Sequence, residues 1–233
     1  MSWSCFSTLR AAMVGGLAVG LLLAGESRHA MGQVITSTFD AGVQGWVGTG
    51  NGAGTIDHTP AGGNPGGAIS ATDIDDGFSY FVAPSAFLVS NLYGQTVSFD
   101  LKTTATGNNA IAFPVQLTLT GGGLTLIGGR TLPTDSFVNY SFSLTETDNW
   151  RLYPDRNNSY SPVGGVAPTL AQVQTVMNNL TGLLIGADYT SGTTATGTTE
   201  ITTIDNVVLT IPEPASVCLA VVAVAGAWLL RRR

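Results

Sequence analysis

The sequence predicts an all-β protein, a jelly-roll β-sandwich with one short helix, flanked by an apolar segment at each end. Two observations predict this fold class. Short segments alternate between apolar and polar side chains, and this period of two is typical of strands with one buried face. Glycine-rich breaks separate these segments, and the 233 residues include 30 glycines. Many short strands joined by tight turns favour a sandwich or jelly roll.

Three segments show the alternation: 96–102, 113–120 and 138–144. The segment 200–210, with sequence EITTIDNVVLT, is predicted to be the closing strand. The glycine runs 121–123 and 128–129 are predicted to be turns. The side chains predicted to face the core are Val97, Phe99, Leu101, Phe113, Val115, Leu117, Leu119, Val138, Tyr140, Phe142 and Leu144.

One helix is predicted directly after Pro168. Thr169 and Gln172 have the spacing of a capping box, in which each side chain bonds the backbone N–H of the other residue. An apolar stripe follows at helical spacing, and we expect it to pack on the sandwich. Its members are Leu170, Val173, Met177 and Leu180.

The N-terminal apolar segment predicts a signal peptide over residues 1–32. Arg10 precedes an apolar run, 11–25, and Ala30-Met31-Gly32 offers a small-residue cleavage site. An uncleaved membrane anchor is the alternative.

The C-terminal segment, residues 211–233, predicts a transmembrane helix with a basic end. Pro212 and Pro214 precede an uncharged run, 215–230, and Arg231, Arg232 and Arg233 follow it. Such a run spans roughly 24 Å as a helix, and terminal arginines favour the cytoplasmic side of a membrane. An ordinary tail anchor is one interpretation.

The order Pro212-Glu213-Pro214, apolar run and arginine cluster resembles the PEP-CTERM sorting signal. The resemblance implies recognition by an exosortase-type membrane enzyme as a partner, and a membrane association through the C-terminal helix. It also implies export to the cell envelope, outer surface or extracellular matrix, alongside exopolysaccharide.

Between these ends, residues 33–210 have the size of one domain and an acidic surface. Setting aside Glu26, Glu213 and the terminal-segment arginines leaves 13 of the 15 acidic residues and 4 of the 9 basic ones, a net charge of −9. Such a charge repels phosphate backbones, so no nucleic-acid partner is expected. Both cysteines, Cys5 and Cys218, lie in the terminal segments, and His58 is the one histidine of the domain. Thiolate catalysis and a multi-histidine metal site are therefore excluded there.

The middle of the chain resembles the laminin B domain, also called laminin domain IV, over about residues 60–209. The matching pieces, in order, are GNPGG at 63–67, FVAP at 81–84, YGQ at 93–95, SFDL at 98–101, LTGGGLTL at 119–126, Trp150-Arg151, NLTGLLIGADY at 179–189 and IDNVVL at 204–209. The resemblance implies a jelly-roll sandwich similar to carbohydrate-binding modules and without catalytic activity. The segment 151–168 is longer and more polar than this pattern.

The two ends of the domain, STFDAGVQGW and TIDNVVL, resemble the paired terminal strands of galactose-binding-like jelly rolls. Many such folds hold a structural calcium ion between these strands. The resemblance implies Asp40 and Asp205 as metal ligands, with backbone carbonyls near Thr38. The alternative is that Asp40 makes a turn and Asp205 faces water.

A second acidic group, Asp73, Asp75 and Asp76, begins like an EF-hand loop. Its glycine stands at the wrong position and no glutamate occupies the twelfth place. We therefore predict a solvated acidic turn.

Aromatic and planar polar residues at 150–160 predict a glycan-binding site, because sugar rings stack on aromatic faces. The candidates are Trp150, Tyr153, Tyr160 and Asn157. Glu146 and Asp148 are a carboxylate pair that a hydrolase could use, but no cleft is indicated around them. We expect a non-catalytic glycan-binding or adhesion module, with a purely structural matrix protein as the alternative and a polysaccharide hydrolase as the weakest one.

Overall fold

The computed structural model describes residues 33–50, 55–73, 79–106, 110–153, 165–191 and 199–211. All of these belong to one compact unit, Gln33–Pro212. The predicted signal peptide lies outside the described residues, and so does the predicted sorting segment apart from Ile211. Within the described ranges, no helix has the length and apolar character needed to span a membrane.

The described chain forms two six-stranded antiparallel sheets. The first sheet has the order β10-β6-β14-β4-β3, and β1 also pairs with β14. Its strands are β1 (Gln33–Ser37), β3 (Ile56–Thr59), β4 (Ala68–Asp73), β6 (Thr96–Ala105), β10 (Val138–Ser143) and β14 (Glu200–Ile211). The predicted sandwich is confirmed by these sheets and by the single core that they share.

The second sheet has the order β11-β9-β8-β12-β5-β2. Its strands are β2 (Val47–Gly50), β5 (Ser79–Val82), β8 (Gln116–Gly121), β9 (Leu124–Gly129), β11 (Trp150–Tyr153) and β12 (Leu180–Gly186). A short two-stranded ribbon joins β7 (Ala110–Ile111) to β13 (Thr190–Ser191), and a 3₁₀ turn spans Ser85–Phe87.

The core lies between the two sheets and follows the predicted alternation. Val97, Phe99 and Leu101 are fully buried, and the rings of Phe99 and Phe142 stack at 5.9 Å. One predicted core position differs: Val138 is 37% exposed because it opens an edge strand. Phe113 packs against the core as predicted, although it precedes the strand, which begins at Gln116.

Of the two predicted glycine turns, one is correct and the other is wrong. Gly122 and Gly123 both have positive φ and form the two-residue hairpin loop between β8 and β9. Gly128 and Gly129 instead belong to β9. A Cβ at Gly128 would lie 2.9 Å from the ring of Trp150, so glycine is required there by packing.

The predicted helix is confirmed as α1 (Leu170–Asn178), with both hydrogen bonds of the capping box between Thr169 and Gln172. The apolar stripe differs from the prediction. The buried residues are Val173, Val176 and Met177, whereas Leu170 is 45% exposed. Leu180 already belongs to β12.

Candidate metal centre and ligand-binding face

Asp40 and Asp205, the two predicted metal ligands, lie on either side of the turn 63–67. An oxygen of Asp40 accepts the N–H of Gly67 at 3.0 Å, and an oxygen of Asp205 accepts the N–H of Asn64 at 2.6 Å. One short turn therefore connects both carboxylates, although they are far apart in the sequence.

The strand pairing of β14 explains why this turn lies there. Along one side, β4 pairs with residues 200–204 of β14 and β1 pairs with residues 207–211. Asp205 and Asn206 are left between these two partners, and Asn206 has a positive φ of 49° beside a register shift against β6. The turn before β4 and the residues after β1 both end at this gap.

Three glycines allow the turn to approach the carboxylates closely. A Cβ on Gly66 would collide with Asp40, and one on Gly63 would collide with Asp205. A Cβ on Gly67 would collide with the carbonyl of Phe39, which is held at 2.6 Å by His58 Nε2. The glycines of the GNPGG piece are thus required by backbone and carboxylate packing.

A third carboxylate, Asp100, completes the group and was not predicted. It is the cross-strand partner of Asp205. The side-chain amide of Asn206 donates to Asp100 at 2.9 Å, and that of Asn139 donates to its other oxygen at 2.8 Å. In the sequence, the only sign of this contact was that Asp100, Asn139 and Asn206 are polar residues at strand positions.

Electrostatics favour a cation at this group. Asp205 is fully buried. Its pKa is raised, chiefly by burial and further by the negative charges of Asp100 and Asp40. The backbone N–H groups of Asn64 and Asn206 donate to it and lower the pKa in part. The pKa of Asp40 is lowered by the Gly67 N–H and the Thr38 hydroxyl. Among the described residues, no lysine or arginine pairs with these carboxylates.

The donor set fits calcium in kind. Carboxylate and carbonyl oxygens are the ligands that calcium prefers, and the Asp40 and Asp205 carboxylates each contact the turn 63–67 by accepting one of its backbone N–H groups. The tightest carboxylate group among the described residues is nevertheless a different one, formed by Asp73, Asp188 and Glu200.

The predicted glycan ligands are placed in different environments. Trp150 is 2% exposed and packs on Phe142 with ring centroids 6.0 Å apart, while its indole N–H donates to the Ser143 carbonyl at 3.0 Å. This placement favours a core role. Tyr160 and Asn157 lie outside the described residues.

Tyr153 is half-buried on the outer face of β11, opposite the core side chains Trp150 and Leu152. Arg151 lies on the same outer face. A Cβ at Gly165 would lie 2.8 Å from both Arg151 and Tyr153, so the backbone at Gly165 packs against the two side chains.

Small residues lie beside Tyr153 on this outer face. The registers align Tyr153 with Thr125, Thr120 and Gly182 across four strands. The neighbouring row begins at Arg151 and continues through Ile127, Thr118, Leu184, Val82 and Val47. Thr118, a polar residue of the alternating segment 113–120, is only 1% exposed, so the middle of this face is covered.

The two carboxylates of the possible hydrolase pair, Glu146 and Asp148, bond to different residues. Glu146 accepts a hydrogen bond from the hydroxyl of Tyr93. Asp148 forms an ion pair with Arg130 at 2.6 Å and accepts the N–H of Ser143. The two carboxylates are thus engaged with separate partners.

The fold defines a class, the two-sheet β-sandwich domain, and comparison with known proteins defines the family. The chain matches the family model Laminin B (Domain IV) over residues 80–218, more than half of its length. It belongs to this family. No curated protein matches the chain significantly.

Among solved structures, the L4b domain of human laminin alpha-2 is similar, with a TM-score of 0.53 and 14% identity over 78% of this chain and 98% of that domain. A family 11 carbohydrate-binding module of Clostridium thermocellum cellulase Lic26A-Cel5E has a TM-score of 0.47 and 14% identity over 78% and 97%. The CBM22-1 xylan-binding domain of Paenibacillus barcinonensis Xyn10C has a TM-score of 0.44 and 14% identity over 79% and 98%.

Proposed function

We propose that this chain is a non-catalytic, exported binding module that holds an extracellular polysaccharide at the β11 edge of the second sheet. The observation that carries the proposal is the outer face of β11, where Tyr153 and Arg151 lie side by side on a rigid strand. An aromatic ring can stack on the C–H face of a sugar, and a guanidinium can donate to its hydroxyls.

Charge narrows the class of glycan. The domain between the terminal segments carries −9, so it repels polyanionic chains that lack bridging cations. A neutral polysaccharide is therefore the proposed ligand.

Calcium is proposed as a structural cofactor at Asp40 and Asp205. Their oxygens are connected by one glycine turn, and the group contains three carboxylates without a described basic partner. An ion there would join the start of the domain to its final strand.

The sorting signal belongs to the same proposal. Pro212-Glu213-Pro214 and Arg231–Arg233 support recognition by an exosortase-type enzyme and export to the envelope or matrix. Export would place the domain where extracellular polysaccharide is found.

The full-length chain on a glycan array tests binding. We expect neutral glycans to be retained by wild type and by Tyr153→Phe, which keeps the ring, and lost with Tyr153→Ala. Leu132→Ala is the matched control, because Leu132 is 47% exposed and lies outside both sheets.

A purely structural matrix role is the second candidate, favoured by the burial of Trp150 and Thr118. An array on which no glycan is retained would support it and contradict the binding proposal. Polysaccharide turnover that is lost with Glu146→Gln would contradict both.

A further inference from the structure

Three carboxylates lie close together at a second place in the sandwich, which was not predicted as a metal site from sequence. Asp73 closes β4 and Glu200 opens β14, and the two are cross-strand partners. Asp188 lies between β12 and β13. One oxygen of each residue lies within 4.8 Å of those of the others.

The group is interior, so the prediction of a solvated turn is wrong for Asp73. Asp73 is 5% exposed and Glu200 is 2% exposed. Asp73 follows Ile69 and Ala71 on the core side of β4, because alternate residues share a face. Asp75 and Asp76 lie outside the described residues.

Hydrogen bonds hold Glu200 in position as an acceptor. Its two oxygens accept the N–H groups of Tyr189 at 2.9 Å and Thr190 at 3.1 Å. The hydroxyl of Thr202 donates to it at 3.2 Å and also contacts the hydroxyl of Thr103 at 2.8 Å. These donors favour the charged carboxylate, yet burial raises the pKa of Glu200.

Two of the described basic residues are engaged elsewhere in the domain. Lys102 lies over the ring of Phe137, and Arg130 pairs with Asp148. Two buried carboxylates and a half-buried one close together are costly unless they hold protons or a cation.

The environment of the Ser79 hydroxyl is a separate observation that favours a bound cation over shared protons. Ser79 is 1% exposed, and its Oγ has no hydrogen-bond partner in the described part of the chain. Strand alternation puts it on the inward side of β5 together with Phe81.

The backbone locates this hydroxyl at the same end of the sandwich. The Ser79 carbonyl accepts the N–H of Ala187 at 2.8 Å, and Ala187 directly precedes Asp188. From the second sheet, the Ser79 side chain thus faces the space that Asp73 and Glu200 face from the first. Buried hydroxyls are normally bonded, and a cation between these groups would supply the missing partner.

We propose that Asp73, Asp188 and Glu200 bind a calcium ion, with Ser79 Oγ as a neutral ligand. Oxygens on opposite sides of calcium lie about 4.6–5.2 Å apart, whereas those around magnesium lie about 4.0–4.2 Å apart. The oxygens of the three residues lie within 4.8 Å of one another, which is within the range that ligands of one calcium ion span. The ion would join the two sheets.

This site is distinct from the one proposed at Asp40 and Asp205. Glu200 and Asp205 are five positions apart on β14, which corresponds to roughly 16 Å along a strand. Asp40→Ala should therefore leave the calcium binding of this second site intact.

Isothermal titration of the chelator-treated full-length chain with calcium chloride tests the proposal. We expect Asp188→Asn to weaken binding at one site by about tenfold or more, because calcium affinity follows the number of charged ligands. Asp135→Asn, an exposed change of equal charge, should bind as wild type. Magnesium chloride should bind more weakly than calcium.

Thermal melts distinguish a bound cation from shared protons. In chelator, Asp188→Asn should melt at or above the wild-type temperature, since it removes a carboxyl that lies beside two other carboxyls; in calcium, it should melt below wild type. Equal stoichiometry and equal calcium-induced shifts for Asp188→Asn and wild type would overturn the site. Should Asp188→Asn not fold, Ser79→Ala serves instead, with weaker calcium binding as the supporting result and unchanged binding as the contrary one.

Discussion

Gly66 determines how closely the turn at 63–67 approaches Asp40. Its φ is +98°, and a Cβ there would collide with the Asp40 carboxylate. Gly94 has a similar φ of +84° but open space around its Cα. Comparing alanine substitutions at the two glycines therefore distinguishes the cost of backbone strain from the cost of losing the contact with the carboxylate.

We expect Gly66→Ala to lower the free energy of unfolding by about 1–3 kcal/mol, the range for a strained backbone position, and by more than Gly94→Ala. Urea unfolding of both variants measures this. Equal losses in the two variants would show that the contact with Asp40 contributes nothing.

The acidic group Asp73, Asp188 and Glu200 makes the stability of the metal-free protein depend on pH. Burial, and then the charges of Glu200 and Asp73, raise the pKa of Asp188 from its ordinary 3.8 to about 8. The folded state then holds a proton that the unfolded state releases, so this contribution to stability is complete below about pH 4 and lost as the pH rises through about 8.

In chelator, wild type should therefore lose stability from about pH 5 to about pH 8, and Asp188→Asn should lose less. Urea titrations across that range measure the slopes. A slope that is as steep in Asp188→Asn as in wild type would assign the pH dependence to other groups.

Single residues were predictable from sequence where one pattern controls them, and not elsewhere. Val97, Phe99 and Leu101 follow strand alternation and are buried as predicted. Asp73 and Asp100 are also buried, because the opposite sheet and the glycine turn enclose them. Those partners are distant in sequence, so local pattern could not reveal the burial.

The helix α1 depends on its first turn. Thr169 accepts the Gln172 N–H at 3.3 Å, and the Gln172 side chain accepts the Thr169 N–H at 2.9 Å. This element was predictable because a capping box is a local signal, whereas the end of the helix was not. The chain enters β12 at Leu180 and pairs there with β8, a contact that helical spacing does not report.

Thr169→Ala should cost about 1 kcal/mol, the usual value for a lost N-cap. That corresponds to a fall in Tm of about 2–4 °C for a domain of this size. Thr169→Ser keeps the oxygen and should melt near wild type. A Thr169→Ala protein that melts with wild type would mean that packing alone holds the helix.

For the molecule as a whole, the two terminal segments predict that the protein is exported. A tagged full-length chain should appear in the envelope or extracellular fraction, with its N-terminal segment removed. Replacing Arg231–Arg233 with serine should impair its retention or processing. An uncleaved chain in the cytosolic fraction would contradict export.

The domain as a whole is organised around β14, which pairs with β6 on one side and with β4 and β1 on the other. Its Asp205 contacts the turn 63–67, which Asp40 also contacts, so both ends of the domain converge on one turn. The central structural claim is that calcium joins them there.

Thermal melts of the full-length chain in chelator and in millimolar calcium test this claim most directly. An ion that binds only the folded state stabilises it by about 2.7 kcal/mol at a hundredfold excess over its Kd, so Tm should rise by several degrees. Asp40→Ala and Asp205→Asn should each lose part of this rise and keep the part due to Asp73, Asp188 and Glu200. A calcium-induced rise that is the same in wild type, Asp40→Ala and Asp205→Asn would contradict the claim.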